Sequence, residues 1–226
     1  MQHSTDLQTK LDNITTRTRG LVQPDRLAIT DAAVQELFAT GIEDRILPIG
    51  ATAPTFDLPD AAATALNSPV ALNGKIIHSS DLLGIGPLIV TFFRGRWCPY
   101  CMTELEAWQA AFPAVREHGA LLVAISPQLA RQNDFTVQHH NLTFPLLSDA
   151  GSRLADAFRI AYTVPEHLRL HYRSILVNIP YINGDDTWRL PLPATFVISQ
   201  SGKIIFAEAH ADHRVRPDPQ DVLATL

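Results

Sequence analysis

The stretches PLIVTFF (87–93) and ALLVAIS (120–126) constrain this 226-residue chain more than any other feature. Each is a short, apolar, β-branched run of the kind buried in the middle of a sheet. Between them, CMTELEAWQAAFPAVREHG has helical spacing, with Leu105, Trp108, Phe112 and Val115 on one stripe and Gly119 as the stop. Strand, helix, strand is a βαβ unit, so the crossover is right-handed and the two strands are parallel.

The remaining segments fit around that unit. QLARQNDFTVQHH reads as a helix, LTFPLL as a short strand, and GSRLADAFRI and PEHLRLHYRS as two more helical pieces. ATFVISQSGKIIFAEA reads as two strands around Ser201-Gly202, followed by a helix from Pro219. Before the core, VALNGKIIH carries the Asn73-Gly74 pair favoured in two-residue hairpin turns. Residues 1–45 form a polar, threonine-rich extension of two helices. Leu7, Leu11 and Ile14 share one face of the first; the second opens at Thr30-Asp31, carries Val34, Leu37 and Phe38, and closes at Gly41. No chemistry is legible in it, and it is expected to pack on the main domain (46–226) or on a second copy in a homodimer.

Composition excludes several function classes. With 46% hydrophobic and 18% charged residues the chain can bury a substantial core. A net charge of -5 and no basic stripe with interleaved aromatics argue against nucleic acid as a partner. No apolar run is long enough for a signal peptide or a membrane span, so the expectation is a soluble, cytoplasmic protein with no membrane partner.

There are two cysteines, Cys98 and Cys101, both in RGRWCPYCMTEL. Cys98 follows a buried strand and its loop, and Pro99 suits the first turn of a helix, which places Cys98 at or beside the N-cap. Unpaired backbone N–H groups and the helix dipole favour a thiolate there. Arg94 and Arg96, in the preceding loop, can add to the same field. Cys101 lies one helical turn on, a separation compatible with a disulfide. The alternatives are half of a zinc site, which lacks a second close ligand pair, and two inert buried thiols. Redox chemistry is the favoured reading, with no metal and no cofactor.

WCPYC between a strand and a helix, followed later by LPATFVIS and a glycine turn, resembles the thioredoxin superfamily. IGATAPTFDLPD and GPLIVTFFRGRWCPYCMTEL resemble its alkyl hydroperoxide reductase and thiol-specific antioxidant branch, the peroxiredoxins, in a subgroup bearing Cys-Pro-x-Cys. The resemblance covers residues 46–226. It implies a mixed α/β, thioredoxin-like fold with a central sheet flanked by helices, and a thiol-dependent antioxidant enzyme.

Carried over position by position, the peroxiredoxin pattern Pro-x-x-x-Thr-x-x-Cys puts Cys101 in the peroxidatic slot with Glu104 three residues on. Cys98 then stands in the threonine slot and Arg94 in the proline slot; counting from Cys98 instead gives Gly95 and Thr91. The family's arginine, expected just before ATFVIS, is replaced by Pro193. Pro193 in turn resembles the thioredoxin cis-proline, which would open a strand edge to an extended substrate. Thr163-Val164-Pro165 matches a related signature, but a helix follows it. The thioredoxins' buried aspartate has no counterpart, since Thr91 and Phe92 stand near its place. The NGDDTW stretch, 183–188, reads as a turn.

The leading expectation is therefore dithiol–disulfide exchange. Cys98 attacks, Cys101 resolves, Trp97, Pro99 and Tyr100 frame the pair, and a cellular dithiol protein or glutathione re-reduces it. The rival is hydroperoxide reduction led by Cys101, weakened by the substituted threonine and arginine slots. A non-enzymatic redox sensor or binding module is the third reading.

Overall fold

The structure, a computed structural model, describes residues 6–60 and 76–226; the Asn73-Gly74 turn lies outside the described residues. The chain opens with helices α1 (Asp6–Leu21) and α2 (Pro24–Ala39), then the short strands β1 (Asp57–Pro59) and β2 (Ile76–His78) and helix α3 (Ser79–Ile85). Strand β3 (Leu88–Phe92), helix α4 (Pro99–Glu117) and strand β4 (Leu121–Ser126) form the expected βαβ unit. Then come α5 (Ala130–His140), β5 (Leu146–Ser148), α6 (Arg153–Ala157), β6 (Ala161–Thr163), α7 (Glu166–Ser174), α8 (Ile179–Asn183) and β7 (Arg189–Pro191). Strands β8 (Ala194–Ile198) and β9 (Ile204–Ala209) and helix α9 (Pro219–Leu223) complete the order.

The central sheet runs β5-β4-β3-β8-β9. Strands β3, β4 and β5 are parallel to one another, whereas β8 is antiparallel to β3 and β9 to β8. This is the mixed, helix-flanked sheet that the sequence resemblance implies. Period-two alternation divides β3 between two cores. Ile89 faces a layer with Leu105, Trp108 and Val115 of α4, while Leu88, Val90 and Phe92 face a second with Leu147, Phe158 and Phe196. Thr91 shares the phase of Ile89 and is therefore turned toward α4.

The extension is helical as expected, but its second helix begins at Pro24 and not at Thr30. Proline at the first helical position needs no N–H partner, and Thr30 instead bonds back to the Leu27 carbonyl from inside the helix. Leu7 and Leu11 of α1 are fully buried in the α4 layer. Ala33 of α2 joins a smaller cluster with Val164, Leu168, Tyr172 and Trp188. Phe38, expected on the packed face, is exposed. Among the described residues, no helix is long and apolar enough to cross a membrane.

Candidate functional site: a buried cysteine pair between two arginines

Cys98 is the N-cap of α4 and Pro99 its first residue, so the first sulfur sits at the helix N-terminus as the sequence indicated. Both cysteines are free thiols with no exposed surface. The loop feeding them turns at Gly95, whose φ of +150° favours glycine; a Cβ there would stand 2.6 Å from Trp97 Nε1. That space lets the Trp97 ring lie against Tyr172, centroids 5.0 Å apart, and under the Arg94 guanidinium at 5.0 Å.

Arg94 and Arg96, treated alike in sequence, separate in the structure. Arg94 is buried and donates from Nη2 to Cys98 Sγ at 3.1 Å, and from Nη1 to the Tyr172 hydroxyl at 3.4 Å. Arg96 is exposed and points elsewhere. Its backbone N–H donates to Gln128, its Nε to Gln132, and its guanidinium covers Phe135.

On the other side of the pair stands an arginine that sequence reasoning missed. Arg216, from the loop between β9 and α9, donates from Nη2 to Cys101 Sγ at 3.6 Å and from Nε to Glu104 at 2.5 Å. Glu104 also accepts from Thr91 at 3.0 Å, and Thr195 donates on to Thr91. Glu104 is thus a buried partner and not a solvated helix residue. The family's arginine is absent from the position of Pro193, but a guanidinium from elsewhere in the chain meets both Glu104 and Cys101. Thr91 and Thr195 are directly paired across β3 and β8, and each interrupts an otherwise apolar strand. That interruption was the one sequence signal of a buried polar chain. Nothing local pointed to Arg216.

Pro193 does not have the cis bond expected of it. No peptide bond among the described residues is cis, and the strand it precedes has no free edge, because β8 is paired to β3 on one side and β9 on the other. Pro193 itself is buried, and its carbonyl accepts from the His210 N–H. Tyr100 is buried with its hydroxyl 3.1 Å from Thr15 of α1 and its ring edge-on to His213. Of the 183–188 stretch, Asn183 closes α8, 184–187 form the expected turn, and Trp188 is buried in the small cluster.

These surroundings drive the two thiols apart. Burial pushes Cys98 up, but the hydrogen bond from Cys101 and the charges of Arg94 and Arg216 outweigh it and hold Cys98 well below the ordinary thiol value. Burial, its donated hydrogen bond and the negative charge of Cys98 together hold Cys101 well above. Charge balance agrees: two buried guanidiniums face one buried carboxylate, which leaves one positive charge for a thiolate to neutralise.

A cavity of about 430 Å³ opens onto this site. Cys98, Arg94, Trp97, Pro99 and Tyr100 line it and Cys101 does not. Its opposite wall is α1 and α2, the extension in which the sequence showed no chemistry, together with α7.

The AhpC/TSA family profile matches residues 49–207. The chain belongs to the AhpC/TSA family. It is 24% identical over 163 residues to the thiol-disulfide oxidoreductase ResA of Bacillus thuringiensis subsp. konkukian, covering 70% of this chain and 68% of that protein. ResA of Geobacillus thermodenitrificans is 23% identical over 163 residues, 72% of this chain and 70% of the relative. Among solved structures, the peroxidoxin BcpB of Mycobacterium tuberculosis superposes with a TM-score of 0.58 at 22% identity, covering 79% of this chain and 96% of that one. Mycobacterium tuberculosis AhpC gives 0.56 at 20% identity, covering 80% and 91%. The shared fold is that of the peroxiredoxins, and the chain is a thiol oxidoreductase of this family.

Proposed function

We propose that this AhpC/TSA protein exchanges dithiol for disulfide, with Cys98 as the attacking thiolate and Cys101 as the resolving thiol. The observation that carries the reading is that Cys98 alone of the two sulfurs lines the cavity, and that it accepts from an arginine with no carboxylate partner among the described residues. Attack by Cys98 on a substrate disulfide gives a mixed disulfide. Cys101 then loses its proton and attacks Cys98 Sγ, closing an intramolecular disulfide across one helical turn. Glu104, one turn beyond Cys101, suits the proton acceptor: burial pushes its carboxyl up, against the pull of Arg216. A thioredoxin-type dithiol, or two molecules of glutathione, in a reducing cytoplasm re-reduces the pair. The ResA relatives, named thiol-disulfide oxidoreductases, support the reading.

Cys101→Ser is expected to accumulate a mixed disulfide at Cys98 when the reduced protein meets a disulfide, and Cys98→Ser to form none; mass spectrometry of the two variants reads the outcome. The reverse pattern overturns the assignment.

One observation favours a second reading. Cys101 has Glu104 in the peroxidatic register and Arg216 within hydrogen-bonding distance, an arrangement suited to polarising a peroxide O–O bond. If peroxide is the substrate and Cys101 leads, Cys98→Ser exposed to hydroperoxide accumulates a sulfenic acid at Cys101 that a dimedone-type reagent traps.

A further inference from the structure

Of the cavity wall opposite the cysteines, α1 and α2 lie outside the family match and α7 lies within it. The match begins at residue 49, whereas α1 and α2 end at Ala39, and His213 and Arg214 follow its last residue. The matched region thus carries the sulfurs and α7, and α1 and α2, outside it, help to enclose the space above Cys98. Leu27, Val34, Leu37 and Leu168 give that space an apolar body. The charged groups near it are largely committed, with Arg214 bonded to Asp31 and Asp212 and Arg19 close to Asp31.

A cavity of about 430 Å³ lies in the size range of small-molecule sites, roughly 300–1,000 Å³. Walls on both sides suit it poorly to a disulfide embedded in a folded protein. We propose that the cavity is a substrate subsite for a small disulfide with an apolar, ring-sized body. The body occupies the space under α2, with its sulfur toward Cys98. This rests on the reading of Cys98 as nucleophile. The step balances as R–S–S–R plus the Cys98 thiolate giving Cys98–S–S–R and one thiolate. Cys101 then displaces the second thiolate, its proton leaves with the products, and an external dithiol returns two electrons to the pair.

The test uses the full chain, reduced, with three disulfides: 2,2′-dithiodibenzoate as the apolar probe with adjacent carboxylates, glutathione disulfide as the polar one, and insulin as the protein. Each rate of oxidation is divided by that disulfide's rate with a simple thiol, which removes intrinsic reactivity. The aryl probe is expected to lead by at least about tenfold, the effect of burying one apolar ring. Filling the cavity with Val34→Trp, and separately with the milder Thr30→Phe, is expected to bring that lead close to one while each variant keeps its helical circular-dichroism signal. Equal normalised rates, faster insulin, or a lead that survives filling in a folded variant overturns the subsite and leaves the Cys98 reading standing. Oxidation by hydroperoxide alone, with no disulfide reacting, overturns both.

Discussion

Each cysteine lies against one buried arginine, yet the two arginines are in different electrostatic states. Around Cys101, the Arg216 charge is balanced by Glu104, which is itself held by Thr91 and Thr195, so that side is a closed polar chain. Around Cys98, Arg94 meets a phenol, an indole face and the sulfur. An arginine without a buried carboxylate leaves its charge for the thiol to answer, and that difference assigns the anion to Cys98. Proximity of a cation alone does not make a thiol acidic; what counts is whether another anion already occupies it.

The comparison breaks most severely at Glu104. Glu104→Gln leaves Arg216 charged and unpaired in the interior, with an expected loss of about 3–5 kcal/mol in urea denaturation. Where the variant remains folded, Arg216 turns to Cys101, and the acidity of that thiol, read from thiolate absorbance in the Cys98→Ser background, is expected to rise. An unchanged Cys101 titration would mean that Glu104 does not set the asymmetry.

A smaller effect is expected on the Cys98 side. Arg94→Leu removes one charged hydrogen bond to the sulfur, about 1.5–3 kcal/mol, and so raises, by roughly one to two, the pH at which alkylation of Cys98 falls off. In the unaltered protein, alkylation is expected to hold its rate below pH 8 and to fall only as pH drops through the depressed thiol value. The same depression ties stability to pH: the contribution is complete above the unfolded thiol value of about 8.5 and is lost as pH falls through the folded one. An Arg94→Leu profile that overlays the parent's would show the helix N-terminus sufficient by itself. The mildest test is Thr91→Val. Losing a donor to Glu104 is expected to cost about 1 kcal/mol in denaturation and to leave Cys98 alkylation nearly unchanged.

The sheet, the crossover and the position of Cys98 were legible because they rest on local periodicity and one proline. Glu104 was legible as a motif position, although its burial was not. Arg216 lies 115 residues from the sulfur it touches, in a loop with no pattern of its own. Arg94 could not be told from Arg96 in the sequence because loop arginines are ordinarily hydrated, and at Arg94 a tryptophan, a tyrosine and a thiol replace water. Pro193 misled because a proline before a strand has the same letters whether its bond is cis or trans. The cavity was invisible because its walls are drawn from helices that carry no motif and meet only in three dimensions.

The separation between Cys101 and Arg216 bears on how the protein is made. Translation delivers both sulfurs long before the guanidinium beside Cys101, and the contacts of that loop with α1, from Gln8 to the Arg214 carbonyl and from the Arg216 N–H to Gln8, await the same late segment. A ribosome-bound intermediate therefore carries Cys98 with Arg94 at hand, and Cys101 and Glu104 without the guanidinium that joins them. The polar chain on the Cys101 side is completed only when that loop closes over it.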